Sequence, residues 1–250
     1  MSPRLAFALD AAFKAGQSTL PLFNAGVEVE VKQDETPVTR ADREAERLIR
    51  GLIAGSYPED AILGEEEGET GTGSGRWVID PIDGTKSFVC GVPLYATLLS
   101  YEIEGETQIG VCYMPVLDEM VYAEIGGGAF WRGRACRVSS KTQMKGAAIS
   151  SGSHASLAKY GRMNGFLDLA GRAMASRTWS DAYGHALVAT GRIEAMVDPI
   201  VQPWDISAMR LVVREAGGRF TDFAGGEYPM NEAISSNGRV HEEVLEAFRS

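Results

Sequence analysis

Nine residues, Trp77-Val78-Ile79-Asp80-Pro81-Ile82-Asp83-Gly84-Thr85, constrain this chain more than any other stretch. Trp77 to Ile79 is a short apolar run of the kind that lies buried in a sheet. Pro81 removes a ladder donor and fixes its own φ, which predicts that the strand ends there. Gly84-Thr85 predicts a turn that opens a helix. Two carboxylates and several free backbone N–H groups therefore meet at one strand-to-helix corner. Carboxylates in that setting hold hard divalent cations such as Mg²⁺, and the N–H groups of a helix start hold phosphate. Metal beside phosphate is the working arrangement of a phosphatase. Asp-Pro and Asp-Gly are also ordinary turn signals, so these residues alone leave both readings open.

Three further acidic positions bear on the choice. Leu63-Gly64-Glu65-Glu66-Glu67-Gly68 crowds three acids into a loop after the apolar strand Ala61 to Leu63. Gln202-Pro203-Trp204-Asp205 opens a helix whose apolar residues Ile206, Met209, Val212, Val213 and Ala216 recur at helical spacing up to Gly217-Gly218. Asp205 is equally placed to be a plain N-cap. Thr39-Arg40-Ala41-Asp42 reads as a variant capping box for a helix running through Leu52, which is a second use for Asp42. Each cluster is weak alone, and their order and spacing together are specific.

Gly64-Glu65-Glu66, Asp80-Pro81-Ile82-Asp83-Gly84-Thr85, and Trp204-Asp205 with Glu215-Ala216-Gly217-Gly218 resemble the signature of the inositol monophosphatase family, from about Val29 to Asn237. The resemblance implies an α+β fold, the layered α-β-α-β-α sandwich of the sugar phosphatases. It implies two or three Mg²⁺ ions held by the side chains of Glu65, Asp80, Asp83 and Asp205 and by the carbonyl of Ile82. Gly84 and Thr85 then meet the phosphate through backbone N–H groups. Asp42 matches an acid near the attacking water, and Lys32 matches a basic residue on the strand before it. The implied chemistry is in-line, metal-assisted hydrolysis of a phosphomonoester, with Glu65 and Thr85 orienting the water and no covalent phosphoenzyme. Family members are commonly homodimers acting on small phosphomonoesters. Some act instead as binding partners in transcription complexes, a role that needs no intact metal site.

Substrate class rests on two segments. In Arg177-Thr178-Trp179-Ser180-Asp181-Ala182-Tyr183-Gly184, the position of Asp181 lies beside the sugar in the inositol phosphatases and is usually small or neutral there. In Met196-Val197-Asp198-Pro199, the position of Asp198 is usually a Glu that binds ring hydroxyls. A neutral polyol gains nothing from paired carboxylates, whereas a cationic alcohol gains charge-assisted hydrogen bonds. With Lys86-Ser87-Phe88 and Gly91-Val92-Pro93, these segments resemble the histidinol-phosphate phosphatase branch of the family. An inositol or other sugar monophosphatase is the alternative, and Asp181 and Asp198 also read as a loop acid and a turn acid.

The rest of the chain sets bounds. There are 250 residues, with 34 acidic against 24 basic side chains and a formal net charge of −10. That balance, without any Lys/Arg run interleaved with aromatics, argues against binding a nucleic-acid backbone. Cys90, Cys112 and Cys136 are scattered and odd in number, which predicts no disulfide framework and a cytoplasmic setting. His154, His185 and His241 have no metal spacing, and His185 reads as a packed or solvated helix residue. No signal peptide is expected, because Asp10 interrupts the first apolar stretch. No apolar run approaches the ~20 residues that span a bilayer.

Two closely joined subdomains are expected, 1–140 carrying most metal ligands and 141–250 carrying the substrate pocket and Asp205. The first reads as helices near Pro3–Asn24 and Ala41–Ala54 and then an antiparallel meander. The second reads as strand and helix in alternation, with a helix at Leu157–Ala175. Glu65 to Gly75 reads as a mobile flap or an exposed hairpin.

Overall fold

The computed structural model describes residues 1–32, 36–179, 181–227 and 231–249. The chain opens with α1 (Pro3–Thr19), the hairpin strands β1 (Val29–Val31) and β2 (Pro37–Thr39), and α2 (Arg40–Ser56). There follow β3 (Ala61–Gly64), β4 (Gly68–Thr70), β5 (Gly75–Asp83), the short helix α3 (Thr85–Val89), β6 (Ala96–Ile103), β7 (Glu106–Met114), β8 (Glu119–Glu124), β9 (Ala129–Trp131) and β10 (Arg134–Cys136). Strands β3 to β10 form one eight-stranded sheet in the order β10-β9-β8-β7-β6-β5-β3-β4. It is the expected meander, with one parallel pair, β3 against β5.

The second half contains β11 (Ala148–Ser151), α4 (His154–Lys159), α5 (Met163–Arg172), β12 (Ala175–Arg177), α6 (Asp181–Ala189), β13 (Ala195–Asp198), α7 (Pro203–Glu215), β14 (Arg219–Thr221), β15 (Ala233–Ser236) and α8 (His241–Ala247). Its five strands run β12-β11-β13-β15-β14. The pairs of β11 with β12 and β13 are parallel, and those of β15 with β13 and β14 are antiparallel.

Side-chain alternation along the strands explains the layering. On β6 and β7, Leu99, Tyr101, Ile109 and Val111 face α1 and α2, where they pack with Ala8, Ala12 and Ile49. Leu98, Cys112 and Met114 point the other way and pack with Ala186, Val188, Met209 and Val212 of α6 and α7. Those two helices also meet Met196 and Phe220 of the smaller sheet. Ile149, Val197 and Ile234 face outward onto Leu157, Phe166 and Leu245 of α4, α5 and α8. The order is therefore helices, sheet, helices, sheet, helices, as the resemblance implied. Because β6 is covered on both faces, it reads as a nearly continuous buried run.

Three local expectations are corrected. Strand β5 does not stop at Pro81 but continues to Asp83. The register against β6 shifts between Asp80 and Asp83, so the missing N–H of Pro81 falls where the ladder is already interrupted. The Pro81 carbonyl accepts from Thr97 Oγ1 at 2.9 Å. The helix expected over Leu157–Ala175 is two helices, because Gly161 at φ +70° closes α4 in a left-handed conformation before α5 begins. The second sheet is not a simple alternation either, since β15 pairs with its chain neighbour β14 and lies inside the sheet.

Helix α7 is seated on the large sheet by a glycine and a buried polar network. A Cβ at Gly110 of β7 would strike the carbonyl oxygen of Ala208, so only glycine lets the helix backbone come this close. Beside it, Ser207 Oγ donates to Glu102 Oε1 at 2.6 Å and receives the Ser100 hydroxyl at 2.8 Å. Arg76 Nη2 holds the other Glu102 oxygen at 2.7 Å, which pairs a carboxylate that would otherwise be buried alone. Gly110→Ala is expected to destabilise the fold by roughly 1–3 kcal/mol through overpacking. Thermal melting checks this, and an unshifted midpoint would show that α7 is not held at this contact.

Candidate active site

Asp80 and Asp83 lie at the end of β5, and Asp205 lies in the first turn of α7. Each offers a carboxylate oxygen, and these oxygens lie within 4.8 Å of one another. The β5 irregularity accounts for the first two. Strict alternation would put residues three apart on opposite faces of a strand, and the register shift between Asp80 and Asp83 brings both to one side. Ile82 N–H donates to Asp80 Oδ1 at 3.1 Å, and Ala182 N–H donates to Asp83 Oδ2 at 2.7 Å.

Asp42 and Asp205 each close a capping box from its third position; the N-cap of α7 is Gln202 rather than Asp205, because the Pro203 that follows Gln202 starts the helix one turn earlier. Asp205 Oδ2 accepts from Gln202 N–H at 2.7 Å, closing a capping box on α7. Asp42 Oδ2 accepts from the Thr39 N–H at 2.7 Å and from the Thr39 hydroxyl at 2.6 Å, closing one on α2. In each case one oxygen remains for the site. Asp42 Oδ1 lies 3.4 Å from Thr85 Oγ1, whose shorter contact, 3.1 Å, is with the carbonyl of Ile82.

Glu65 reaches the cluster from the turn after β3. Its charge adds to the burial that raises Asp80, and its Oε1 accepts from Lys32 Nζ at 2.8 Å. Lys32 also bonds Glu66 Oε1 at 2.7 Å. Burial works to lower the Lys32 pKa, but hydrogen bonds and charge from Glu65 and Glu66 outweigh it and raise the value. The turn itself hangs on Glu46 of α2, fully buried, which accepts from Glu66 N–H at 2.7 Å and Glu67 N–H at 3.0 Å. A Cβ at Gly64 would strike that carboxylate, so the glycine before Glu65 is required. Nothing in the sequence marks Glu46, because its only visible signal is an i,i+4 pair with Arg50.

These groups line a cleft with two lobes. The outer lobe, about 520 Å³, is bordered by Glu65, Asp80, Ile82, Asp83, Gly84, Thr85, Asp181 and Asp205. The inner lobe, about 230 Å³, shares Asp83, Asp181 and Asp205 and adds Asp198, Ser153 and His185. Gly84 caps α3 at φ +80°, where a Cβ would come within 3.1 Å of Asp181 Oδ2. A Cβ at Gly152 would lie 2.9 Å from Asp198 Oδ2. All the candidate positions thus converge on one cleft, except that Asp42 stands behind Thr85. Ser180 lies outside the described residues. Gly152 and Ser153, just before α4, and Ser156 within it also line the inner lobe and escaped the sequence reading, since small residues carry no pattern of their own.

The site is electrostatically unbalanced. Burial pushes Asp80 well above the usual carboxylate range, helped by Glu65, Asp83 and Asp205. Burial raises Asp83 likewise, with Asp181 and Asp205 adding to it. Asp205 rises from its ordinary 3.8 to about 7, chiefly through burial, against the lowering effect of its capping bond to Gln202. Crowded, desolvated carboxylates of this kind suit a hard cation with oxygen ligands, so the donor set fits a divalent metal.

The sequence profile of the inositol monophosphatase family matches residues 1–250. The chain is 44% identical to the histidinol-phosphatase of Chlorobaculum parvum, over 99% of this chain and 97% of that protein. Among solved structures, it resembles the extragenic suppressor protein suhB of Bartonella henselae with a TM-score of 0.94 and 31% identity, over 100% and 99% of the two chains. It resembles the IMPase of Thermotoga maritima with a TM-score of 0.92 and 35% identity, over 99% and 97%.

The Asp205 shift has a definite sign. A folded-state value above the unfolded one means that the folded protein holds the proton more tightly. Its contribution to stability is present below about pH 4 and is lost as pH rises through about 7. With EDTA present, Asp205→Asn is expected to melt several degrees above the unaltered protein at pH 8, with the gap closing toward pH 4. Mg²⁺ is expected to reverse the order at pH 8. Parallel melting curves at all pH values would remove the electrostatic argument.

Proposed function

The chain belongs to the inositol monophosphatase family and is a phosphomonoesterase of it, and we propose that its substrate is L-histidinol phosphate, hydrolysed with Mg²⁺ as cofactor. The observation that carries the substrate is the pair Asp181 and Asp198, which line the inner lobe together with Asp83. Burial raises Asp198 well above the usual range, and Asp181 is the next contributor. Two carboxylates that repel each other in a small cavity favour a cationic ligand, and the alcohol formed from histidinol phosphate carries an ammonium. Inositol brings no charge to relieve them. The Chlorobaculum relative's name agrees with this reading.

Asp80, Asp83, Asp205 and Glu65, with the Ile82 carbonyl, are the proposed ligands of two or three Mg²⁺ ions. The metal, when bound, lowers the pKa of a coordinated water and offsets negative charge on the phosphoryl and leaving oxygens. Glu65 and Thr85 orient the attacking water. Asp42 Oδ1, 3.4 Å from the Thr85 hydroxyl, helps to hold that hydroxyl in place. The backbone N–H groups of Gly84 and Thr85 face the phosphate. Residues 1–140 then supply most of the ligands, and 141–250 supply Asp205 and the leaving-group pocket. A homodimer is the proposed assembly. Among the described residues no helix is long and apolar enough to cross a membrane.

Phosphate release with Mg²⁺ tests the reading, with L-histidinol phosphate and inositol 1-phosphate at matched concentration. A strong preference for histidinol phosphate is expected. Asp198→Ala is expected to cut kcat/KM on it by roughly 10–100-fold, the worth of one or two charge-assisted hydrogen bonds. A preference for inositol phosphate would overturn the substrate and leave the metal chemistry standing. Asp83→Asn is expected to remove most activity on either ester, and near-normal turnover would overturn its assignment as a ligand.

A further inference from the structure

One residue lining the inner lobe takes no part in the hydrolytic chemistry. His185 of α6 is 2% exposed, yet it borders the cavity. Its Nδ1 is bonded to Ser235 Oγ at 2.7 Å, and the Phe220 ring lies 5.0 Å away on the smaller sheet. Among the described residues, nothing hydrogen-bonds its Nε2. No carboxylate acts on the ring: burial alone depresses its pKa to about 3, so it is a neutral imidazole at any working pH. The lobe therefore combines the carboxylates of Asp83, Asp181, Asp198 and Asp205 and the Lys86 side chain with one uncharged imidazole.

We infer that His185 is a specificity-determining residue that recognises the azole ring of the leaving alcohol through Nε2, with Ser235 fixing the orientation of its ring. This rests on the substrate reading above. Three chemical features of histidinol phosphate, its phosphate, ammonium and imidazole, match the three kinds of group along the cleft. If Ser235 accepts from Nδ1–H, Nε2 offers a lone pair; if Ser235 donates, Nε2 offers a proton. A neutral imidazole carries one donor and one acceptor nitrogen, so it complements either tautomer. An alkyl ammonium complements only the first and is already served by the acids. A polar atom placed to meet a ligand group discriminates against ligands that lack that group, because its hydrogen bond is then not made.

The test compares L-histidinol phosphate with O-phosphoethanolamine, which keeps the ester and the amine but has no ring, on the Mg²⁺-loaded enzyme. His185→Phe is expected to raise KM for histidinol phosphate so that the ratio of kcat/KM values between the two esters falls by about tenfold, one hydrogen bond's worth. His185→Gln, which retains a donor and an acceptor, is expected to restore part of that ratio. Equal losses on both esters would mean a packing role and overturn the inference. Histamine, the ring and amine without phosphate, provides a check that needs no variant. It should inhibit the unaltered enzyme at least tenfold more strongly than ethanolamine, and equal inhibition would also overturn the inference. An unaltered enzyme that does not hydrolyse histidinol phosphate would overturn the substrate reading and this inference together. A preference for histidinol phosphate with equal losses in His185→Phe would overturn this inference alone.

Discussion

The site depends on one unfavourable arrangement, three carboxylates held within 4.8 Å of one another in a largely desolvated cleft. Like charges 4 Å apart repel by about 4 kcal/mol at an effective dielectric of 20, so the chain would open here unless the surrounding structure held it. Two rigid supports do so. Strand β5 lies inside the large sheet between β3 and β6, and α7 is fixed against that sheet by Gly110 and by the buried Glu102–Ser207 contact. The acids are thereby prevented from moving apart, and the relief left to them is a proton or a cation. Their raised pKa values are the first form of relief, and metal binding is the second.

The same economy governs each acid. Asp42 and Asp205 give one oxygen to a helix cap, and Asp83 gives one to the start of α6 through Ala182. Those bonds orient the remaining oxygen. Choosing between a capping role and a site role is thus unnecessary, because the cap is what aims the side chain. Glu65 is aimed differently: its turn is tied to the buried Glu46, and its carboxylate is steadied by Lys32.

Acids line both lobes of the cleft. Asp83, Asp181 and Asp205 border both, the outer lobe adds Glu65 and Asp80, and the inner lobe adds Asp198, two serines and a neutral histidine, with Lys86 on both walls. The inner lobe thus combines carboxylates with uncharged polar groups, a combination that matches a phosphate ester whose alcohol carries both an ammonium and a neutral polar ring.

Much of this was legible along the chain. The strands of the meander followed from residue pattern, and the five-layer fold followed from the family resemblance carried by motifs whose order is specific. The Thr39–Asp42 capping box was readable because a cap is local, formed by residues three apart, whereas Asp205 read as the N-cap of α7 and is the third residue of a box whose N-cap is Gln202. Other features were not readable. The continuation of β5 through Pro81 depends on a register shift against β6, and β15 is a four-residue strand that acquires its place only by pairing with β13 and β14. Glu46 and Gly110 matter through contacts with Glu66 and Ala208, 20 and 98 positions away. His185 looked like a packed helix residue and is one, but the wall it forms exists only where α6 meets the Asp198 end of β13. The sequence by itself determined which acids and glycines were available and which local turns and caps they would make. Tertiary structure alone decided which of their atoms share one cavity, because distance, burial and the repulsion between them are properties of chain segments brought together from far apart.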